Sequence, residues 1–361
     1  MTALVRSVAF YLPQFHPIPE NDEWWGAGFT EWTNVVRAKR YFQWQRQPRI
    51  PADLGFYDLR LEETRIAQAE LASRYGIEAF CYYHYWFCGR KLLERPFAEV
   101  LSSGRPTLSF CLCWANEDWT QAWSGGSRGT LLQQQYSADD HLNHARALVP
   151  VFADPRYLRV EGRPVFLVYR AASIPDPQKA TRTWREVARA EGLGDLLLLR
   201  VDSFPNERSD PRPSGFDAAV EFQPDFYGVW ADRRTPTRRW IRRVRRIPEV
   251  YPYRRLVTRA TTAPNPTYPR FPCVTPGWDN TPRRREEGLV LKGATPEAFG
   301  HWTSTTVQRL VAGEPERERR LLFVNAWNEW AEGNYLEPDR TWGHRFLQAH
   351  LDAVSAPPPF N

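Results

Sequence analysis

Residues Leu321 to Asp339 read LLFVNAWNEWAEGNYLEPD. The run Leu321-Leu322-Phe323-Val324 has the length and apolar composition of a buried strand. It passes into Asn328-Glu329-Trp330-Ala331-Glu332-Gly333, where two carboxylates stand three residues apart among tryptophans. Desolvating a carboxylate without partners costs several kcal/mol, so two acids just past a hydrophobic strand mark a site or a buried ion pair.

Working outward, the same arrangement recurs. Ser7 to Leu12 runs into Pro13-Gln14-Phe15-His16, and Ile77 to Tyr83 into His84-Tyr85-Trp86-Phe87. Thr107 to Trp114 runs into Ala115-Asn116-Glu117-Asp118-Trp119. Arg163 to Tyr169, Asp195 to Val201 and Ala218 to Gln223 supply the fourth to sixth strands, and Pro272 to Asn280 reads as the seventh strand and its terminus, carrying Trp278-Asp279-Asn280. Helical patterns lie between them: Asp58 as N-cap of a helix to Tyr75, Ser137 opening another, then Thr183 to Ala190, Pro296 to Leu310 and Trp342 to Val354. Continuous apolar strands alternating with helices, with polar chemistry at the strand ends, predict an α/β fold. The expectation is a single (β/α)8 TIM barrel over residues 1–361, with long Trp-rich βα loops and an Arg-rich insertion after strand 6. No GxGxxG follows the first strand, which removes support for a dinucleotide-binding sheet.

Where a strand stops and the chain curls into a helical turn, residues three apart fall on one side, so Glu329 and Glu332 are expected to converge. Two carboxyls in unlike surroundings can serve as acid and base, the requirement for cleaving a glycosidic bond. Trp327 and Trp330 would offer flat faces to a sugar ring, and Asn328 completes the group. The competing structural reading pairs the glutamates with arginines and puts the tryptophans in the core. Further binding candidates at strand ends are Tyr11, Gln14, His16, His84, Trp86, Trp114, Asn116, Glu117, Trp119, Glu221, Trp278 and Asp279. Trp25, Glu31 and Trp32, from the loop ENDEWWGAGFTEW, would close the cleft or anchor that loop to the barrel rim.

Composition is that of a globular protein: 42% hydrophobic, 25% charged, with 14% aromatic residues and 16 tryptophans, more than a core needs. The net charge of +6 is carried almost wholly by arginine. The dense cluster Arg233 to Arg259 reads as a solvated helical insertion or as a patch for an acidic surface; with no nucleic-acid module beside it, nucleic-acid binding is not expected. The five cysteines show neither disulfide nor zinc spacing, and Cys81, Cys111 and Cys113 read as small buried hydrophobes. His141 and His144 have a spacing that can bind metal but read as a solvated helix face, so no metal and no cofactor are expected. No signal-like segment precedes Val8 and no apolar run reaches the roughly 18 residues of a membrane span, so the default expectation is a cytoplasmic protein without a transmembrane segment, of unknown oligomeric state.

The blocks AFYLPQFHPIPENDEWWGAGFTEW, GIEAFCYYHYWF, CWANEDWTQAW and NAWNEWAEG together resemble the WbsX family, often labelled as polysaccharide-biosynthesis glycosyltransferases. That family is similar to glycoside hydrolase family 99, the endo-α-mannosidases and endo-α-mannanases, chiefly through NEWxEGxxxEP from Asn328 to Pro338. The resemblance implies a (β/α)8 barrel acting on an oligo- or polysaccharide. It implies Glu329 as the base that helps a sugar 2-hydroxyl attack its own anomeric carbon, giving a 1,2-anhydro sugar. Glu332 would protonate the leaving oxygen and then activate water, with net retention. Ala331 stands where family 99 carries histidine, so mannose specificity is not implied.

The expectation is therefore a retaining glycoside hydrolase acting on α-linked glycans of a bacterial surface polysaccharide. The alternatives are a glycosyltransferase of O-antigen or capsule biosynthesis and a non-catalytic carbohydrate-binding barrel. Neither a phosphate-cradling glycine loop nor a DxD motif supports the transferase.

Overall fold

The structure, a computed structural model, describes residues 3–120, 129–231 and 244–355. Eight parallel strands form the barrel. They are β1 (Arg6–Tyr11), β2 (Ile77–Phe87), β3 (Ser109–Trp114), β4 (Arg163–Val168), β5 (Leu197–Asp202), β6 (Ala218–Glu221), β7 in two segments (Arg270–Phe271 and Cys273–Val274) and β8 (Leu321–Val324). Each of β1 to β6 pairs with its successor, and β8 pairs with β1 from Arg6↔Leu321 to Ala9↔Val324. Pro272 splits β7 because it has no N–H to give the ladder. The first segment pairs with β6 and the second with β8, and the Pro272 carbonyl accepts from Phe323 N at 2.9 Å, which closes the ring.

One buried apolar cluster reaches from Val5 to Val354. Inside the barrel, Phe10 packs on Tyr83, Phe222 and Phe323 at centroid distances of 5.7, 5.9 and 5.7 Å, and Tyr169 on Phe222 at 5.4 Å. The helices Glu62–Arg74, Ala138–Phe152, Pro177–Ala190, Pro296–Gly313 and Arg345–Ser355 cover the outside. Ser137, Asp176 and Thr295 cap three of them through side-chain oxygens. Asp58 is not an N-cap: its carboxylate is taken by Arg60 and the helix begins at Glu62.

The Arg-rich stretch departs from the helical reading. Residues 232–243 lie outside the described ones, but Glu249–Pro252 is a strand, paired in parallel with Leu289–Lys292. The following helix Tyr253–Thr262 buries Tyr253, Leu256 and Val257 and packs against Pro296–Gly313, so this part of the insertion belongs to the barrel's outer layer. Cys81, Cys111, Cys113 and Cys273 are buried free thiols and Cys88 is exposed. Among the described residues, no helix is long and apolar enough to cross a membrane.

Candidate active site

The chain leaves β8 and is clamped at once to β1. Trp327 N donates to Phe10 O at 2.8 Å, and the Asn328 amide grips Leu12 from both sides, accepting from its N–H at 2.7 Å and donating to its carbonyl at 3.0 Å. Asn328-Glu329 then pairs antiparallel with Asn334-Tyr335, and the link between them is the 3-10 turn Trp330–Glu332. That turn carries Glu329 and Glu332 to the same side. Gly333 ends it at φ 58°, where a Cβ would stand 2.9 Å from both Asp279 N and Arg49 Nη2; only glycine fits.

Both glutamates meet one guanidinium. Arg283 Nη2 donates to Glu329 Oε2 at 2.8 Å, Nη1 to Glu332 Oε1 at 2.8 Å and Nε to Glu31 Oε1 at 2.8 Å. Arg283 rides on the short helix Thr281–Arg284, which Asp279 seats: its Oδ1 accepts from Thr281 N–H and O–H and its Oδ2 from Gln45, while its own N–H donates to Glu332 O at 2.6 Å. The arginine pairing weighed from the sequence is thus realised, with a stoichiometry that leaves chemistry open: one guanidinium cannot neutralise three carboxylates. Arg283 engages a single oxygen of each catalytic candidate, and the Glu332 side chain stays 18% exposed against 7% for Glu329. Burial, opposed by Arg283 and helped by Glu332 and Glu31, pushes Glu329 up to about 8. Burial raises Glu332 as well, against Arg283. A cluster with surplus negative charge in a desolvated place keeps a proton at neutral pH.

Tyrosines face these acids. Tyr83 and Tyr85, on the inner face of β2, have phenols held up by burial and then by the Glu329 charge; Tyr169, just past β4, is raised by burial and then by Glu117 and Glu332. Trp119 stacks on Tyr85 at 5.3 Å and meets Trp24 edge-on. Glu117 is half-buried, 3.4 Å from Arg170, and burial raises its carboxyl. Glu221, at the end of β6, is not joined to that group: it is half-buried, 3.8 Å from Arg270 and accepting from Gln223 at 2.9 Å, and is raised by burial.

Several predicted contacts lie elsewhere. Trp327 and Trp330 are buried to within 1% and wall no cleft: Trp327 packs on Phe80, and Trp330 stacks on Tyr335 at 3.8 Å while its Nε1 donates to Glu337. Asn328 is spent on Leu12. His84, Trp86 and Trp114 occupy outward-pointing positions of their strands. His84 Nε2 lies 2.9 Å from His144 Nε2, Trp86 Nε1 donates to Asp140, and Trp114 packs on His144 and Trp184. Burial lowers His84 to about 3, so the ring is neutral. His141 and His144 are therefore not on a solvated face; both are buried between that helix and the barrel. Among the described residues no group of three or more His, Cys, Asp or Glu is arranged to hold a metal ion.

Tyr11 also points outward, donating to Gln68 at 2.6 Å. Asn116 is consumed by Arg170 backbone and Tyr136. Trp278 is buried on Phe226, and Trp32 is buried among Phe15, Tyr57 and Trp330. His16 is buried in the loop after β1 with Nδ1 on Pro13 O; Gln14 is half-buried beside it, and Trp25 rests on Phe29. Brought together at the mouth are Glu329, Glu332, Glu31, Glu117 and Trp119. Sequence reasoning missed Arg283, Tyr83, Tyr85 and Tyr169. Period-two alternation from buried Cys81 marks Tyr83 and Tyr85 as sharing its face, and Asn280-Thr281-Pro282 is a helix-start signal just ahead of Arg283.

The fold is that of known carbohydrate-active barrels. The GH99 endo-alpha-mannosidase from Bacteroides thetaiotaomicron superposes with TM-score 0.58 at 13% identity, covering 97% of this chain and 96% of that one. A glycoside hydrolase-like protein superposes with TM-score 0.61 at 13% identity, covering 98% and 94%. The family model described as Glycosyltransferase WbsX matches residues 7–350, and the chain belongs to that family. The uncharacterized protein WxcX of Xanthomonas campestris pv. campestris strain B100 is 45% identical over 355 residues, as is its counterpart in strain ATCC 33913. The match covers 97% of this chain and 50% of each relative, so the chain spans about half the length of the curated relatives it matches.

Proposed function

We propose that the chain is a retaining glycoside hydrolase that cleaves α-linked glycans of a bacterial surface polysaccharide, with Glu329 and Glu332 as its proton-transfer pair. The observation that carries this is the pairing itself: two carboxyls on one 3-10 turn, facing tyrosines at a barrel mouth, with surplus negative charge that keeps a proton there. The protonated member gives its hydrogen to the glycosidic oxygen as the C1–O bond breaks. The ionised member takes a proton from the sugar 2-hydroxyl, whose oxygen closes on C1, and water later opens that ring. Proton transfer of this kind contributes about 10² to 10⁴ in rate. By the resemblance to family 99, Glu329 would be the base and Glu332 the acid. Burial raises both carboxyls, so either can hold the proton that the pair keeps at neutral pH.

The test is turnover of two α-glycosides, one with an activated aryl leaving group and one with a sugar leaving group, by Glu329→Gln and Glu332→Gln. The acid variant keeps bond cleavage on the aryl substrate and loses it on the sugar substrate; the base variant loses both. Full activity in both variants on both substrates refutes the proposal. The non-catalytic alternative predicts glycan binding with no turnover by the wild type.

A further inference from the structure

A second cleft, of about 230 Å³, lies behind the turn that carries Glu332 and is lined by Trp44, Arg46, Arg49, Lys292, Tyr335 and Trp342, among others. It backs directly onto the mouth, because Gly333 and Asp279 form part of its wall and Asp279 N–H holds Glu332 O. Its volume is below the roughly 300 Å³ at which drug-sized pockets begin, which suits one ring rather than a long segment.

The wall is unusual in its cations. Arg46 sits over the Trp342 ring at 4.4 Å and Lys292 over the Trp44 ring at 4.8 Å. Such contacts hold a cation in place without neutralising it. Arg49 leans on Tyr335, donating to its hydroxyl at 3.3 Å, and its buried Nε has no partner. None of the three makes an ion pair with a carboxylate of the described residues. The acids of the wall are engaged otherwise: Asp279 with Gln45 and Thr281, Asp339 with Tyr335 O–H and the N–H groups of Thr341 and Trp342. Three cations against two carboxylates leave one positive charge on the wall, while the start of the helix Pro296–Gly313 is already met by Glu297 in its first turn. A single negative charge on a ligand balances that positive charge.

We propose that this cleft binds a carboxylate-bearing sugar, a uronic acid unit of the polysaccharide cleaved at the neighbouring mouth. The inference rests on the hydrolase reading for its setting and makes the substrate an acidic glycan. The experiment titrates the protein, followed by tryptophan fluorescence, with a glucuronate-containing oligosaccharide, its neutral glucose counterpart and a sugar phosphate, at low and high salt. Wild type and Glu329→Gln are expected to bind the acidic oligosaccharide at least about tenfold more tightly than the neutral one, with the preference shrinking in salt. The Arg46→Ala/Lys292→Ala variant, whose exposed side chains leave folding intact, is expected to lose that preference.

Equal affinity for acidic and neutral oligosaccharides overturns the proposal, as does a preference that survives the double substitution. Tighter binding of the sugar phosphate overturns the carboxylate assignment. Because the readout is binding, the two ideas fail separately. Uronate binding without cleavage of any glycan sinks the hydrolase reading alone. Cleavage of a neutral glycan that is indifferent to the Arg46/Lys292 change sinks this one alone.

Discussion

Replacing Glu329 by glutamine tests the electrostatics of the mouth through stability. The folded protein holds this carboxyl at about 8 against an ordinary value of 4.5, so the folded state binds the proton more tightly than the unfolded chain. Stability from such a group is full below about pH 4.5 and is lost as pH rises towards 8, because the unfolded chain releases its proton first. At about 1.4 kcal/mol per unit, the loss is about 1 kcal/mol at pH 5 and about 4 kcal/mol at pH 8. Glutamine keeps the shape and still accepts from Arg283 but does not ionise, so Glu329→Gln removes this slope. With an unfolding entropy of about 2.1 cal/mol/K per residue over 361 residues, the difference of ~3 kcal/mol corresponds to about 4 °C. The assay is thermal unfolding of both proteins from pH 5 to pH 8. The variant's Tm should gain about 4 °C on the wild type across that range. Parallel curves for the two proteins would refute the reasoning, since they would mean that Glu329 titrates alike folded and unfolded.

Other consequences follow from the same contacts. Glu31→Gln removes a negative charge that raises both Glu329 and Glu332, so the alkaline limb of the kcat/KM profile should move to lower pH by a few tenths to one unit, read with an aryl glycoside. Gly333→Ala forces a Cβ onto Asp279 N at φ 58° and should cost about 1–3 kcal/mol in denaturant unfolding while lowering kcat, because the displaced peptide carries Glu332. Trp327→Phe should lower Tm and leave KM within about twofold, since that indole packs on Phe80 inside the core; a large rise in KM would return it to the sugar site.

The barrel was legible because its strands are apolar on both faces and its helices carry ordinary start signals at Ser137 and Thr295. The same double-sided burial hid which strand-end residues face inward. In β2 the residues His84 and Trp86 look like chemistry and Tyr83 and Tyr85 like packing, yet one step of alternation assigns them the reverse. The paired glutamates were readable because both lie on one short turn. Arg283 was not, because a basic side chain 46 residues before Glu329 is joined to it only by closure of the barrel. Asp279 and Asn328, read as sugar ligands, instead hold the turn and its arginine, a role that requires the same polar residue types at the same strand ends.

The family is described as a glycosyltransferase and the fold is shared with a glycoside hydrolase, and the proposed chemistry of the mouth would reconcile the two names. Protonating a glycosidic oxygen and activating an incoming hydroxyl require the same two carboxyls, whether the hydroxyl belongs to water or to a sugar. On the proposed chemistry, what divides the outcomes is the lifetime of the opened donor relative to the arrival of an acceptor, at a mouth that Tyr83, Tyr85 and Tyr169 flank half-buried. A hydrolase of this build should therefore transfer to added glycan in proportion to acceptor concentration, with hydrolysis dominant at millimolar acceptor. Chromatography of products from a single donor across an acceptor series measures the ratio. Transfer that is complete at the lowest acceptor concentration, with no hydrolysed product, would show that the mouth excludes water and would make the transferase description the right one.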